Sequence, residues 1–188
     1  MLLKLTIEGQ VTIKNVNNES KFASNIVKKM LKELQREGYI KIENGVIEIE
    51  KEDRLKLAVL AASLGSDIQR ISVLFSWQEF EDIAALALER NGYVTTKNVR
   101  FKYAGRRWEI DVVGCRKPLV LCIDCKHWKR GLRSSALMRV VESQIARSCA
   151  FMETLPISSL RIECAKWRKA KFVPMILSLF SSNYKYHK

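Results

Sequence analysis

Two short apolar stretches, separated by a few turn-forming residues, constrain the fold of this sequence most strongly. The first runs from Arg107 to Gly114 and the second from Leu119 to Lys126, and both are rich in Val, Ile and Leu. The residues from Gly114 to Pro118 include the glycine and proline that favour turns. Apolar runs rich in β-branched residues on either side of a turn predict two neighbouring strands of a β-hairpin.

The predicted hairpin carries two aspartates and a lysine. Asp111 lies on the first strand, and Asp124 and Lys126 lie on the second. Because side chains alternate between the faces of a strand, Asp124 and Lys126 project from one face, and Glu109 shares a face with Asp111. The opposite face of the first strand is predicted to carry Trp108, Ile110 and Val112. Two carboxylates offer hard oxygen ligands to Mg²⁺, and a nearby lysine can orient water, so this group predicts metal-assisted phosphodiester cleavage.

The charge balance of the chain supports the same interpretation. The 188 residues include 33 Lys and Arg against 20 Asp and Glu, which gives a net charge of +13. A surplus of this size favours nucleic acid as a partner, through phosphate contacts and counterion release. A membrane is a weaker candidate because the cations are spread along the chain rather than gathered on one amphipathic helix.

The start of the sequence and its cysteine content predict a location. The first residues lack the pattern of a signal peptide, and no apolar run is long enough to span a bilayer. Five cysteines, an odd number, favour reduced thiols. We therefore expect a cytoplasmic protein, with a length that allows one large domain or two small ones.

Residues 1–70 predict a small first domain. Ser24 to Gly38 predicts a helix with Ser24 as its N-cap and Gly38 as its end. The apolar stripe of this helix is predicted to contain Ile26, Val27, Met30, Leu31 and Leu34. The Asn-Gly pair at 44–45 predicts a tight hairpin between strands at 39–42 and 46–49. A further helix is predicted from Asp53 to Leu64, with Asp53 as its cap.

The first predicted helix of this domain is strongly basic. Its cations are Lys28, Lys29, Lys32 and Arg36. A basic helix followed at once by a hairpin resembles the recognition helix and wing of a winged helix-turn-helix domain, which would bind DNA through these side chains. Residues 3–17 have a partly strand-like pattern where such a domain usually has two more helices. A plain α/β packing module is therefore the alternative.

Residues 71–188 predict a second domain with the order helix, three strands, helix, strand. The helices are predicted at 76–91 and 134–152, and the strands at 93–103, at the hairpin described above and at 172–180. Pro174, near the start of the last strand, indicates a position at the sheet edge or a bulge.

Each helix of the second domain is predicted to place a polar residue on its packed side. Helical phasing puts Glu81 beside Ala84 and Ala85, whereas Glu79, Asp82 and Glu89 form a polar arc. A buried carboxylate must bind a metal or pair with a cation such as arginine. Gln144 lies within the inward stripe of the later helix, which is predicted to contain Leu137, Val140, Val141, Ile145 and Ser148. Its amide must be satisfied in a pocket or by backbone groups.

Several motifs together resemble the PD-(D/E)xK nuclease superfamily. They are Phe80-Glu81 on a helix that ends at Asn-Gly-Tyr93, Ile-Asp-Val-Val at 110–113, the Asp-x₁₂-Asp-x-Lys spacing, Cys-Lys-His-Trp at 125–128 and the inward glutamine of the following helix. Within the superfamily the sequence is most similar to Mrr-type restriction endonucleases and their archaeal relatives, over roughly residues 76–180. The resemblance implies an α/β, restriction-endonuclease-like mixed sheet flanked by helices.

The resemblance also implies roles for the site residues. Asp111 and Asp124 would be metal ligands for Mg²⁺, with Mn²⁺ as an alternative, and Lys126 would position water and stabilise charge. Glu81 would be an accessory ligand or orient one, and Gln144 would support the site. The superfamily's proline is replaced here by Ile110. Asp124 stands where many relatives carry Glu or Gln. Glu109 is an alternative to Asp111 as the carboxylate that acts in the site.

The implied activity is that of a metal-dependent endonuclease acting on duplex DNA in restriction or repair. A structure-selective resolvase of the Holliday-junction type is one alternative. A non-catalytic DNA-binding protein with a degenerate nuclease fold is another. Nucleases of this kind often act as dimers, so a homodimer is an alternative to a monomer.

Two other patterns have competing interpretations. Cys122 and Cys125 with His127 suggest a zinc site, but strand alternation directs the two cysteines to opposite faces. The basic stretch 161–171, which contains Trp167, is either a contact for the DNA backbone or a solvated basic face.

Overall fold

The computed structural model describes residues 1–7, 10–126, 134–157 and 159–178. The chain forms two compact units, Met1–Glu79 and Phe80–Lys188. None of the helices in the described ranges is long and apolar enough to cross a bilayer.

The first unit combines short helices with a small antiparallel sheet. Its elements are α1 (Leu2–Leu5), β1 (Val11–Thr12), α2 (Ile13–Glu19), α3 (Ser24–Arg36), β2 (Lys41–Glu43), β3 (Val46–Glu48), α4 (Lys51–Ser63) and α5 (Ile68–Ser72). The strand order is β1-β3-β2, and both pairings are antiparallel. The core of α2, α3 and the sheet is formed by Val11, Val16, Val27, Leu31, Ile40 and Ile47.

The turns around α3 follow the sequence pattern. Asn44 and Gly45 both have positive φ, at 50° and 78°, as a two-residue turn between β2 and β3 requires. Gly38, with φ of 76°, ends α3, and the N–H of Tyr39 bonds the carbonyl of Leu34 at 2.9 Å. The predicted hairpin and the predicted end of this helix are therefore confirmed.

Several details of the first unit differ from the sequence prediction. The described residues of the segment 3–17 include the strand β1, as the partly strand-like pattern predicts, but more of them lie in the helices α1 and α2. Ser24 and Asp53 do not cap their helices, since both lie inside the first turn. The stripe of α3 is also narrower than predicted: residues 26 and 30 are exposed, and residues 27 and 31 are buried.

The second unit is built around a mixed four-stranded sheet. Its elements are α6 (Trp77–Arg90, which begins at the end of the first unit), β4 (Val94–Tyr103), β5 (Arg106–Arg116), β6 (Leu119–Lys126), α7 (Ser134–Thr154), two 3₁₀ turns (Leu155–Ile157 and Glu163–Lys166) and β7 (Lys171–Ser178). The strand order is β4-β5-β6-β7, with β7 parallel to β6 and the other pairs antiparallel. This arrangement confirms the predicted mixed sheet flanked by helices and the edge position of Pro174. Residues 179–180 of the predicted last strand lie outside the described residues.

Two hydrophobic clusters cover the two faces of this sheet. The cluster on the α7 side contains Val99, Phe101, Ile110, Val113, Cys115, Val120, Cys122, Ala150, Phe151, Leu155, Ile162 and Cys164. The cluster on the α6 side contains Phe80, Ala84, Ala85, Val112, Ile123 and Cys125. Cys122 and Cys125 thus face opposite sides of the sheet, as alternation predicts.

The alternation of side chains along β5 is interrupted at Asp111. Ile110 and Val113 both pack on the α7 side, although an unbroken strand would direct them to opposite faces, and Val112 packs on the α6 side. In β4, Asn98 has a positive φ of 53° and lies between the residues that pair with Ile110 and Val112. The prediction of one shared face for residues 108, 110 and 112 is therefore wrong, because the backbone irregularity resets the alternation.

Gly114 lies within β5 rather than in the turn. The strand continues to Arg116, and the turn is formed at Lys117 and Pro118. A Cβ atom on Gly114 would come within 2.7 Å of Leu88 Cδ1 on α6. The predicted turn from 114 to 118 is therefore too long, because the glycine permits close packing of strand against helix.

Candidate functional site

The candidate site lies where β5 and β6 separate. Their last paired residues are Val112 and Ile123, whereas β6 stays paired with β7 as far as Lys126. Beyond the last β5–β6 pair, the backbone N–H of Cys125 donates to Asp111 Oδ2 at 2.7 Å. A side-chain carboxylate thus satisfies a strand N–H in the stretch where the β5–β6 ladder has ended.

Asp124 is the most enclosed acid of this site. Its residue is 3% exposed, and each carboxylate oxygen contacts a cation. Lys126 Nζ lies 2.8 Å from Oδ2, and Arg147 Nη1 lies 2.6 Å from Oδ1. A buried carboxylate requires such partners, because burying an isolated charge is very costly.

The pKa of Asp111 depends on the partial burial of its side chain and on the nearby charge of Asp124. Burial raises this pKa most strongly, and the negative charge of Asp124 raises it further. The N–H of Cys125 and the cations Lys126 and Arg147 lower the pKa of Asp111, but they do not cancel the increase. The negative charge of Asp124 therefore disfavours the ionised form of Asp111.

Glu81 on α6 and Cys125 on β6 are electrostatically linked to Asp111 and Asp124. Glu81 is buried, as its helical phase predicts. Burial raises the pKa of the Cys125 thiol to about 12, and the charges of Asp111, Glu81 and Asp124 add to the increase. Three carboxylates therefore act on one protonated thiol, so Glu81 belongs to the same electrostatic group as the two aspartates.

Gln144 connects α7 to two strands and to the site. It is 2% exposed, and its Nε2 donates to the carbonyls of Cys122 on β6 at 2.7 Å and of Met175 on β7 at 3.2 Å. Its Oε1 accepts from Arg147 Nη1 at 2.7 Å. Of the two predicted fates for this amide, backbone bonding is the one observed, and the remaining oxygen holds an arginine that contacts Asp124.

Arg147 is a site residue that sequence analysis missed. It follows Gln144 by three residues on the same face of α7, so the helical phasing that selected the glutamine could also have found it. The same phasing was wrong for Ile145, which is 46% exposed. The inward face of α7 continues instead through Ser148 and Phe151, both buried.

The two neighbouring glutamates have other partners. Glu109 accepts from the exposed Arg100 of β4 at 3.1 and 3.2 Å. Glu79 is buried and ion-paired with Arg54 in the first unit, whereas Asp82 and Glu89 of the predicted polar arc are half-buried and exposed. The partner that permits the burial of Glu79 is Arg54 of α4. Phasing along α6 alone could not reveal it, because it comes from another helix.

The predicted nucleic-acid-binding residues of α3 are accessible. Lys28, Lys29, Lys32 and Arg36 are exposed. In the second basic stretch, Lys166, Arg168 and Lys169 are exposed. Trp167 is half-buried and packs on the α7-side cluster.

A zinc site gains no support from the described ranges. Cys122 and Cys125 lie on opposite faces, and His127 lies outside the described residues. Within those residues, no group of three or more His, Cys, Asp or Glu side chains is arranged to hold a metal ion.

Comparison with known families agrees with the geometry. A mixed sheet between helices, with acids and a lysine where two strands separate, is the arrangement of restriction-endonuclease-like proteins. Residues 74–158 match the Mrr-type family model described as restriction endonuclease. This match supports a relationship between this stretch of the chain and Mrr-type proteins of the PD-(D/E)xK nuclease superfamily.

Two solved structures show partial similarity. One is a protein of unknown function, AF1548, with 27% identity over 37% of this chain and 37% of that chain, and a TM-score of 0.31. The other is protein VC1899 from Vibrio cholerae, with 15% identity over 92% of this chain and 37% of that chain, and a TM-score of 0.35. The matched part thus spans little more than a third of either solved chain. A search of curated proteins gave no match.

Proposed function

We propose that the protein is a metal-dependent endonuclease that hydrolyses phosphodiester bonds in duplex DNA, in restriction or repair. The observation that carries this proposal is the group formed by Asp111, Asp124 and Lys126 at the separation of β5 and β6, within a domain of nuclease type. The net charge of +13 supports a polyanionic substrate.

We propose that the acids of the site bind a hard divalent ion, with Mg²⁺ as the first candidate and Mn²⁺ as the second. Asp111 and Asp124 would hold it, and Glu81 is the nearby third carboxylate. Carboxylate oxygens are the ligands that such ions prefer. The raised pKa of Asp111 supports this assignment, because a cation would stabilise a partly buried carboxylate whose ionised form is disfavoured. When bound, such an ion supplies a water molecule of lowered pKa and stabilises charge on the phosphate.

The remaining side chains would hold and orient the reacting groups. The ammonium of Lys126 lies 2.8 Å from Asp124, where it would orient the attacking water and stabilise negative charge that develops on the phosphate. Gln144 would act indirectly, because its oxygen contacts Arg147 rather than the open side of the site.

We propose that residues 1–70 form a winged-helix-like DNA-binding domain and that residues 71–188 form the nuclease domain. The order helix, strand, helix, helix, hairpin and the three-stranded sheet support the first assignment. The helices α1 and α2 precede α3, which supports this assignment. In this proposal α3 contacts DNA through Lys28, Lys29, Lys32 and Arg36, and the β2–β3 hairpin is the wing.

One cleavage assay tests the activity. The protein is incubated with plasmid, linear duplex and four-way junction DNA, in Mg²⁺, Mn²⁺ or EDTA. We expect cleavage of duplex DNA only with metal, and its loss in Asp111→Ala, Asp124→Ala and Lys126→Ala. Glu109→Ala is the matched control, because Glu109 pairs with Arg100, and it should retain activity. Cleavage in EDTA, or full activity of Asp124→Ala, would contradict the mechanism.

A second candidate is a DNA-binding protein that does not cleave. The observation that favours it is that both oxygens of Asp124 contact cations, from Lys126 and Arg147. Duplex binding without cleavage in either metal would support this candidate. Cleavage restricted to the four-way junction would instead indicate a structure-selective resolvase. The homodimer and the cytoplasmic location stay predictions.

A further inference from the structure

Arg147 contacts the carboxylate of Asp124, which the proposed metal site also needs as a ligand. Its Nη1 contacts Asp124 Oδ1 at 2.6 Å and Gln144 Oε1 at 2.7 Å. The arginine side chain is 19% exposed, and the Asp124 side chain is 4% exposed. The contact is thus largely shielded from water, and shielding strengthens an ion pair relative to a surface pair.

Resting on the proposed function, we propose that Arg147 is a positioning residue that holds Asp124 when no metal is bound and releases it when a divalent ion binds. In the metal-free protein the arginine stabilises a buried negative charge. A divalent ion on the same carboxylate would lie close to the guanidinium, and the two positive charges would repel each other. Metal binding and the Arg147–Asp124 contact are therefore competing interactions.

Gln144 holds the Arg147 guanidinium close to Asp124 through a hydrogen bond. Its Nε2 is bonded to carbonyls on β6 and β7, so its Oε1 has a fixed position beside the site. That oxygen gives Arg147 a neutral partner that remains after Asp124 is released. The guanidinium therefore stays near the reaction site.

The proposal predicts the opposite sign from a purely structural role. If Arg147 only supported the fold of the site, its removal would disorder Asp124 and weaken metal binding. If it competes with the metal, its removal frees the Asp124 oxygen and tightens metal binding. The expected gain is about ten- to hundredfold, the range for a hydrogen bond to a charged group.

The test is a titration of the full chain with Mn²⁺ in the absence of DNA, with free Mn²⁺ followed by electron paramagnetic resonance. The variants are Arg147→Met, Arg147→Gln and Arg147→Lys. Arg139→Met is the matched control, because it removes one cation from an exposed position on the same helix. We expect tighter Mn²⁺ binding in Arg147→Met and Arg147→Gln, and affinities near that of the unmodified protein in Arg147→Lys and Arg139→Met.

Each outcome decides the proposal. Unchanged or weaker Mn²⁺ binding in both neutral Arg147 variants, with circular dichroism showing folded protein, overturns it. An equal gain in Arg139→Met also overturns it, since long-range charge alone would then explain the effect. If the unmodified protein binds Mn²⁺ and cleaves DNA but the variants bind no more tightly, only this inference fails. If neither the unmodified protein nor the neutral variants bind Mn²⁺, the proposed function fails with it.

Discussion

At the scale of single residues, the negative charge of Asp111 is electrostatically unfavourable in the folded protein. In the proposed nuclease, a bound divalent ion would stabilise this charge. Its pKa is raised by burial and by the charge of Asp124. A carboxyl group whose pKa is higher in the folded than in the unfolded state stabilises the fold only while it is protonated. Its contribution is fully present below the unfolded-state pKa and is lost as pH rises through the folded-state pKa. Ionisation of Asp111 therefore lowers the stability of the fold.

Asp111→Asn should consequently unfold at a higher temperature than the unmodified protein at neutral pH without metal. The asparagine removes the charge and keeps an oxygen that can accept from the N–H of Cys125. Thermal unfolding at pH 7 measures the shift, and cleavage should be lost in the same variant. Glu109→Gln, at an exposed ion pair, is the control and should change little. An equal or lower unfolding temperature for Asp111→Asn would show that the carboxylate is not under electrostatic stress.

At the scale of elements, one buried arginine connects several parts of the first unit. Arg54 of α4 donates to the carbonyls of Leu3 at 3.2 Å and Leu74 at 3.0 Å, and it also bonds Thr6 and Glu79. Burial by itself raises the pKa of Glu79, but the N–H of Ser76 and the Arg54 guanidinium bring it below its usual value. The start of α6 is thus held to α1 and α4 by charge-assisted bonds.

Arg54→Met should destabilise the first unit by about 3–5 kcal/mol, because it leaves the buried charge of Glu79 without its partner. Urea denaturation measures the loss, and the double variant Arg54→Met/Glu79→Gln should recover part of it. The pKa of Glu79 is depressed, so its contribution is present above the unfolded-state value near 4.5 and is lost as pH falls through the lower folded-state value. A cost for Arg54→Met that does not shrink in acid would contradict this account.

At the scale of the whole molecule, the net charge of +13 supplies the cations for the proposed DNA binding, and the number of phosphates that they contact would set its dependence on salt. Each phosphate contact contributes about 0.9 to the slope of log affinity against log salt concentration. Exposed cations are available in both units, on α3 and in the stretch 161–171. The salt slope of suitable variants therefore identifies which of them contact the DNA backbone.

Replacing Lys28, Lys29 and Lys32 by Gln should reduce that slope by up to about 3 for a short duplex. The matched control replaces Lys166, Arg168 and Lys169 by Gln, which removes the same amount of charge. Affinity measured by fluorescence anisotropy at several salt concentrations gives both slopes. If only the control variant loses slope, the stretch 161–171 and not α3 contacts the phosphates.

Local patterns predicted the elements whose conformation depends on near neighbours. The Asn44-Gly45 turn, the order of elements in the second unit and the edge position of Pro174 follow from backbone preferences and from the period of apolar residues. The short helices of residues 3–17 could not be predicted this way. They are too short for a periodic signal, and Val16 of α2 packs with Val27, Leu31, Ile40 and Ile47, which lie further along the chain.

The sequence by itself determined that two aspartates and a lysine lie on adjacent strands, because spacing and alternation are local properties of the chain. Only the tertiary structure decided in which direction these side chains point and which charges surround them. The break in alternation at Asp111 lies opposite Asn98, whose φ is positive, in the neighbouring strand. Arg147 reaches Asp124 only because α7 packs on the sheet. The electrostatics of a buried site depend on distances between elements, and those distances exist only once the chain has folded.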